Sequence, residues 1–374
     1  MSMTDGTTVT IVLGTRPEII KLAPVIDACE EREIAYSVVH TGQHYSEELD
    51  TVFFDQLELP APDHNLGVGS GTQSEQTGAM IQEIEAVLLD EQPELVLVQG
   101  DTNSVLAGAI AAGKLDCEVG HVEAGLRSFD RTMPEEVNRV LADHAADYRF
   151  APTEQAAGYL REEGIADDAI HVTGNTIVDA VMGYRDLAAA KSDVLDELDL
   201  DAGDFCLLTA HRAENVDDRE RFSSLLDGVA RFASESDLDV VYPVHPRANE
   251  RLAAFDLTMP DEITPIDSQD FLDFLRLEST ATLVLTDSGG VQEETCILGT
   301  PCVTLRDNTE RPETVDVGAN RIVGVDADGI VTGAREALAE QNGWENPFGD
   351  GHSAERILNI AGLGSAASVG EVHG

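Results

Sequence analysis

Several acidic side chains follow short apolar runs in the first half of the chain, where arginines are available to pair with them. Asp101 comes after the run Leu95 to Val98, and Glu123 comes after the run Glu118 to Val122. The whole set comprises Asp101, Glu123, Glu135, Glu136, Arg127 and Arg139. Carboxylates that converge with cations can have their pKa values split, so that one donates a proton and another accepts one. The spacing predicts an acid–base site, although helix capping or a first-turn position would also explain some of these acids.

A second stretch is suited to binding a diphosphate. Residues Thr286 to Glu294 follow an apolar run and open a helix, and Gly289 and Gly290 let the backbone approach a ligand closely. We expect Glu293 and Glu294 in the first helical turn, where one of them could accept hydrogen bonds from ribose hydroxyls. A plain strand-to-helix turn, in which both acids only favour the helix dipole, is the alternative.

Two cations follow the first apolar run of the chain. Arg16 lies in the segment Gly14 to Glu18, and Lys21 is one of only three lysines in the sequence. Pro17 is explained by a helix start alone, but the two cations are not. Because a guanidinium can grip a phosphate with two hydrogen bonds, they indicate an anionic ligand. The alternative is that both are surface cations that only compensate the charge of acidic neighbours.

Three further residues follow runs in the second half of the chain. His211 and Arg212 come after Phe205 to Thr209, and His245 comes after Tyr242-Pro243-Val244. A single histidine is more often a satisfied structural residue than a functional one. These residues are candidates only because of their position at predicted strand ends.

Strands and helices alternate in two series, which is typical of parallel sheets. The first series predicts strands at Val9 to Leu13, Ser37 to His40, Leu95 to Val98, Glu118 to Val122, Tyr148 to Ala151 and Ile170 to Val172. The second predicts strands at Phe205 to Thr209, Val240 to Val244, Thr282 to Thr286 and Pro301 to Leu305. The fold class is therefore α/β, with two Rossmann-like doubly wound domains.

We place the domain limits at residues 1–191 and 192–345. Residues 346–374 are expected to hold a helix, Ser353 to Leu363, that packs back on the first domain, followed by a tail. The Asp-rich segment Ser192 to Asp204 is interpreted as a linker, and the tail beyond Gly364 is expected to be disordered. In doubly wound sheets, ligands bind beyond the carboxyl ends of the strands. All the motifs above fall there, so two such edges are expected to face each other across a cleft.

The composition is strongly acidic. The 374 residues carry 71 acidic and 23 basic side chains, a formal net charge of −48. Nucleic acid and anionic membranes are therefore improbable partners. Because molar salt shortens the Debye length to about 3 Å, such a surface suits a salt-rich cytoplasm, and we expect a halophilic source.

The five cysteines are scattered and never spaced as CxxC, so neither a disulfide framework nor a zinc site is indicated. No stretch approaches the roughly 20 apolar residues of a membrane helix, and no signal peptide is visible. We therefore expect a soluble protein in the cytoplasm.

Taken in order, these motifs resemble the non-hydrolysing UDP-N-acetylglucosamine 2-epimerases. The resemblance runs from Gly14 to about Gly351 through GTRPE, TGQH, GDT, GHVEAGLRS, MPEE-NR, GNT, AHR-EN, YPVH, TDSGG-QEE and RDNTERPE. It implies a GT-B-like pair of domains, a homodimer, and no need for a metal or a nicotinamide cofactor. The acidic composition adds the expectation of an archaeal-type member.

The resemblance also implies residue roles. Contacts to UDP are implied for Arg16, His211, Ser288, Gly289, Gly290, Glu294 and Arg311. Catalytic or sugar-site roles are implied for Lys21, Asp101, Glu123, Glu135 and Arg139, with His211 also close to the reaction. A second, regulatory UDP-N-acetylglucosamine site is implied for Gln43, Glu136, Arg212 and His245.

The implied reaction is the interconversion of UDP-N-acetylglucosamine and UDP-N-acetylmannosamine by elimination and re-addition of UDP. A GT-B-type UDP-sugar glycosyltransferase is the first alternative, and the set of first-domain carboxylates argues against it. A hydrolysing epimerase and a non-catalytic nucleotide-sugar sensor are two further alternatives.

Overall fold

The computed structural model describes residues 7–42, 53–69, 71–340 and 343–364. The chain divides into two compact units, one running to Ala180 and resuming at Phe348, the other running from Val181 to Pro347. The division falls inside a helix, Thr176–Lys191, whereas the sequence placed it at the end of that helix. Among the described residues, no helix combines the length and the apolar character needed to cross a membrane.

The first unit contains a seven-stranded parallel sheet in the order β3-β2-β1-β4-β5-β6-β7. Its strands are β1 Val9–Leu13, β2 Tyr36–His40, β3 His64–Asn65, β4 Leu95–Gln99, β5 Glu118–Val122, β6 Tyr148–Ala151 and β7 Ile170–Val172. Its helices are α1 Arg16–Glu31, α2 Gln73–Glu91, α3 Asn103–Ala112, α4 Pro134–Ala145, α5 Glu154–Glu162 and α6 Thr176–Lys191, the last crossing the division. Every residue of β1 and β4 is buried, as expected for central strands covered on both faces.

The second unit contains a six-stranded parallel sheet in the order β10-β9-β8-β11-β12-β13. Its strands are β8 Phe205–Thr209, β9 Asp239–Pro243, β10 Ile263–Ile266, β11 Leu283–Thr286, β12 Cys302–Thr304 and β13 Asn320–Ile322. Its helices are α7 Val194–Glu197, α8 Ala213–Val216, α9 Arg219–Ser236, α10 Pro246–Phe255, α11 Phe271–Thr280, α12 Gly289–Leu298, α13 Pro312–Asp316 and α14 Ala327–Ala339. The predicted linker was wrong in part, because it contains α7, where Val194 is buried in the core.

Strand register brings the polar motifs of each unit together. In the first sheet Gln99 pairs with Val122, so the residues that follow β4 and β5 leave the sheet side by side. In the second sheet Thr209 pairs with Thr286, which has the same effect on the residues after β8 and β11. Each sheet therefore carries its motifs at the carboxyl ends of adjacent strands.

The end of the chain returns to the first unit as helix α15, Ser353–Ile360. Phe348 accepts a hydrogen bond from the Asn175 amide at 2.8 Å, and the Ala354 amide donates to Asp179 at 2.9 Å. The helix is shorter than the expected segment ending at Leu363, and the tail after Gly364 lies outside the described residues. The contacts fasten the loop between β7 and α6, which carries a side chain of the candidate site.

Candidate active site

Glu123 is the most constrained carboxylate of the first unit. It directly follows β5 with a φ of 68°, a left-handed conformation that costs a non-glycine residue about 1 kcal/mol or more. Lys21 donates to both carboxylate oxygens at 2.6 and 2.8 Å, Asn175 donates at 3.2 Å, and Gln99 donates as well. Because three side chains from separate elements hold it, this carboxylate has a fixed orientation.

Asp101 lies close to this group. A side-chain carbon added at Gly100 would stand 3.8 Å from Glu123 Oε2, so the Glu123 carboxylate reaches the residue next to Asp101. The Asp101 carboxylate forms an ion pair with Arg139 and stays about one-third exposed. The structure therefore places two ion-paired carboxylates at adjoining strand ends, as the motifs predicted.

The neighbouring acids Glu135 and Glu136 differ sharply in their surroundings. Glu136 accepts hydrogen bonds from Ser128 N, Ser128 Oγ and Phe129 N, each at 2.9 Å, and contacts Arg139 at 3.2 Å. Burial raises the pKa of Glu136, but these donors lower it by more, so the net shift is downward. Glu135 is exposed and makes no hydrogen bond or ion pair with any described residue. Glu136 thus anchors a loop, whereas Glu135 is available to a ligand.

Glu18 joins two loops of the first unit, a role that the motifs did not indicate. Its carboxylate accepts from the amides of Gly14 and Thr15 at 2.7 and 2.8 Å, and from the Thr102 hydroxyl. Burial raises the pKa of Glu18 to about 7, against the opposing effect of these hydrogen bonds. Thr102, and not Asp101, caps α3, so Glu18 fixes the loops that present Arg16 and Asp101.

Arg16 is the first residue of α1 and is exposed. Its guanidinium carbon lies 5.7 Å from the centre of the Phe53 ring, within the range of a cation–π contact. The contact is compatible with phosphate binding, because stacking leaves the edge of a guanidinium open to hydrogen bonds.

His121 is fully buried behind the carboxylates. Its Nδ1 lies 2.7 Å from Asp143 and its Nε2 lies 2.8 Å from the Gly100 carbonyl oxygen. Both neighbours are acceptors, so both ring nitrogens donate and the imidazole carries a proton on each. Burial lowers the pKa of His121, but Asp143, the Gly100 carbonyl and Glu123 together raise it by more. Arg127 pairs with Asp143 at 2.7 Å, which completes a buried charged network that contacts Gly100, the residue before Asp101.

In the second unit, the buried carboxylate of Asp287 organises the residues after β8. It accepts from the amides of His211 and Arg212 at 3.0 Å and from the Asn215 side chain at 3.1 Å. His211 Nδ1 lies 3.3 Å from Asp287. Burial lowers the pKa of His211, and nearby His245 lowers it further, against the opposing charge of Asp287. His211 is therefore a neutral, oriented imidazole at neutral pH.

The segment Ser288 to Gly290 starts helix α12. Ser288 is the cap residue, yet its hydroxyl makes no capping hydrogen bond, and the first-turn amides of such a helix suit an anion. A side-chain carbon at Gly289 would stand 3.7 Å from the Arg212 guanidinium, so Arg212 lies over this turn. The prediction that Glu293 and Glu294 lie in the first turn was wrong: because α12 begins at Gly289, both belong to the second turn.

Arg311 is already paired within the second unit. Its Nε lies 2.8 Å from Glu293, whose side chain is buried. Arg306 of the same motif is buried and pairs with Glu214 and Glu310, each at 2.7 Å. The Arg311–Glu293 pair joins the segment between β12 and α13 to α12, and the Arg306–Glu214 pair joins it to α8.

The residues assigned to a regulatory site are only partly visible. His245 caps α10 by accepting the Arg247 amide at 3.2 Å, and its ring lies 5.4 Å from that of His211. Gln43 lies outside the described residues. Within the described ranges, no group of three His, Cys, Asp or Glu side chains is arranged to hold a metal ion.

Comparison with known proteins agrees with the motifs. The profile of the family described as UDP-N-acetylglucosamine 2-epimerase matches residues 27–362. A protein of that name from Methanocaldococcus jannaschii is 52% identical over 361 residues, which cover 95% of this chain and 98% of the relative. Another, from Methanococcus maripaludis, is 49% identical over 356 residues, covering 94% and 97%.

A solved structure is also similar. Methanocaldococcus jannaschii UDP-GlcNAc 2-epimerase in complex with UDP-GlcNAc and UDP matches with a TM-score of 0.84 and 51% identity, covering 96% of this chain and 100% of that chain. The predicted α/β class of two Rossmann-like domains in a GT-B-like fold is confirmed. Since the match extends over nearly the whole sequence, this chain belongs to the UDP-N-acetylglucosamine 2-epimerase family.

Proposed function

We propose that this chain interconverts UDP-N-acetylglucosamine and UDP-N-acetylmannosamine by inverting C2 of the sugar. The observation that carries the proposal is Glu123, whose backbone is strained. Its carboxylate forms an ion pair with Lys21 close to the Asp101–Arg139 ion pair. A glycosyltransferase requires one base at most, whereas inversion at carbon uses acid and base groups on two faces. The names of the similar proteins support the same substrate.

The chemistry begins at the bond to UDP, because no carbonyl group acidifies the C2 proton. The C1–O bond breaks and its electron pair leaves with UDP, while a base removes the C2 proton and the C1=C2 double bond of 2-acetamidoglucal forms. UDP then adds back at C1, and an acid protonates C2 on the opposite face. Every atom except the exchanged proton is retained, so no cofactor is consumed.

We assign the proton transfers to the first unit. Asp101, Glu123 and Glu135 form the pool of acids and bases, and positioned proton transfer typically contributes about a hundredfold to ten-thousandfold in rate. Lys21 and Arg139 hold two of these carboxylates in place.

We assign the binding of UDP to helix starts and cations. Arg16, His211 and the turn Ser288 to Gly290 stabilise charge on the departing diphosphate, and one such donor can be worth about a hundredfold to a thousandfold in rate. Glu294 accepts hydrogen bonds from the ribose hydroxyls. Arg311 acts near the phosphates, which requires it to exchange part of its contact with Glu293.

The proposal extends to the localisation, the oligomeric state, a second ligand site and the source of the protein. The resemblance to the family supports a cytoplasmic homodimer, with a second UDP-N-acetylglucosamine site at Gln43, Glu136, Arg212 and His245. The net charge of −48 supports a halophilic, archaeal-type source.

The test is incubation with UDP-N-acetylglucosamine alone in molar potassium chloride, followed by proton NMR. We expect UDP-N-acetylmannosamine to accumulate to equilibrium without any acceptor. Stoichiometric free UDP with free N-acetylmannosamine would indicate a hydrolysing epimerase instead. A requirement for an acceptor, or binding without turnover, would also overturn the proposal.

A further inference from the structure

Glu278 is a buried acid that the proposed function leaves unexplained. It lies on α11 among apolar residues, and only 1% of its surface is exposed. Among the described residues, no lysine or arginine forms an ion pair with it. An ionised carboxylate in such a place costs several kcal/mol unless it is paired, so Glu278 is expected to be a neutral carboxylic acid.

The partner of this acid is Glu294. Helix α11 packs on α12. Both oxygens of the Glu278 carboxyl group are buried and receive no hydrogen bond from a donor among the described residues, and the neighbouring carboxyl group is that of Glu294. Burial raises the pKa of Glu278 well above its usual range, and the charge of Glu294 raises it further. Two adjacent carboxyl groups form a hydrogen bond only if one of them carries a proton, and Glu278 is the more buried of the two.

Glu294 in turn lies beside the phosphate-binding turn. A side-chain carbon added at Gly290 would stand 3.9 Å from Glu294 Oε1. The Glu294 carboxyl group therefore links the buried acid on one side with the start of α12 on the other.

We propose that Glu278 is a positioning residue whose carboxylic O–H donates a hydrogen bond to Glu294 and so orients the Glu294 carboxylate towards the two hydroxyls of the ribose. This rests on the proposed function, in which Glu294 binds ribose. A carboxylate has two oxygens, each with two acceptor sites. Fixing one oxygen with the Glu278 hydroxyl leaves the other with a defined direction for accepting ribose O–H groups. Glu278 thus determines selectivity for ribonucleotides without contacting the substrate.

The experiment measures the affinity of the full-length protein for UDP and for 2′,3′-dideoxyuridine 5′-diphosphate by titration calorimetry in molar potassium chloride. Because hydrogen bonds to a charged group are among the stronger ones, we expect the wild type to prefer UDP about tenfold to a hundredfold. Glu278→Met, which removes the donor but keeps the volume, should reduce this preference by about fivefold or more. Glu278→Gln keeps an N–H donor of the same length and should restore it.

Two controls separate this inference from the proposed function. Ser279→Ala changes the next residue of α11, whose hydroxyl bonds to its own helix at the Arg276 carbonyl, and should keep the wild-type preference. Glu294→Gln should abolish most of the preference, and if it does not, the ribose role of Glu294 in the proposed function is wrong. If Glu294→Gln abolishes it but Glu278→Met leaves it intact, Glu278 has no positioning role. Equal losses in the Met and Gln variants would also contradict the donor argument.

Discussion

The Lys21 ammonium lies 2.6 and 2.8 Å from the two carboxylate oxygens of Glu123, a residue 102 positions away in the chain. Lys21 comes from α1 and Glu123 follows β5, so the pair fixes a helix against a strand end. Both side chains are largely buried. The ion pair therefore fixes the orientation of the Glu123 carboxylate at the site of the proposed proton transfers.

Removing the cation of this pair should impair catalysis more than binding. Lys21→Met leaves Glu123 without its charge partner, and we expect kcat to fall by about a hundredfold or more with little change in the affinity for UDP. The double variant with Glu123→Gln should be no worse than the poorer single variant, because the two residues act as one unit. Additive losses in kcat, measured by NMR, would show that they act independently.

Asp101 should be needed for turnover but not for nucleotide binding. Asp101→Asn keeps the shape and removes the charge that faces Arg139, so we expect kcat to fall by about a hundredfold to ten-thousandfold while UDP affinity stays within about threefold. Asp116→Asn, at an exposed position, is the matched control and should behave as wild type. A normal kcat in Asp101→Asn would remove Asp101 from the acid–base pool.

The buried His121–Asp143 pair should make stability depend on pH. The pKa of His121 is raised overall, so its contribution is complete below about pH 6.5 and declines as the pH rises through the folded-state value. The pKa of Asp143 is lowered overall, because His121 and Arg127 outweigh the effect of burial. Its contribution is therefore present above the ordinary aspartate pKa and is lost in more acidic solution.

His121→Gln tests this pair. Breaking a buried ion pair typically costs about 3 to 5 kcal/mol, and the loss should be larger at pH 6 than at pH 9. The measurement is chemical unfolding of wild type and variant at both pH values in the same salt. A loss that is independent of pH would contradict a protonated His121.

Salt should stabilise the protein. The net charge of −48 repels itself at low ionic strength, and molar salt reduces the range of that repulsion to about 3 Å. We expect the midpoint of thermal unfolding to rise steadily between 0.1 and 3 M potassium chloride. An unchanged or falling midpoint would argue against adaptation to a salt-rich cytoplasm.

Most interior strands could be predicted from the sequence because each is a short, mostly apolar run between segments of helical length. The strands Val9–Leu13, Tyr148–Ala151 and Phe205–Thr209 begin and end where the pattern placed them. The edge strands β3 and β10 could not be predicted, because β3 has only two residues and β10 contains Pro265. The edge strand β7, in contrast, was predicted with its observed bounds. Edge strands bury less surface, so their sequences carry a weaker hydrophobic signal.

The candidate site was only partly predictable. Charged residues at strand ends pointed to Asp101 and Glu123, but the donors Gln99 and Asn175 carry no charge and gave no separate signal. Their role depends on the direction of side chains that meet from β4 and from the loop after β7. The start of α12 was misjudged because two glycines do not indicate whether they precede a helix or belong to it.

The most direct measurement of the central claim follows the hydrogen at C2 during turnover in heavy water. UDP-N-acetylglucosamine is incubated with the protein in deuterated potassium chloride solution, and the C2 position is monitored by proton NMR. The account predicts that every molecule of UDP-N-acetylmannosamine formed carries deuterium at C2, because the original proton has exchanged with solvent. Product that retains its original hydrogen at C2 would contradict elimination and re-addition of UDP.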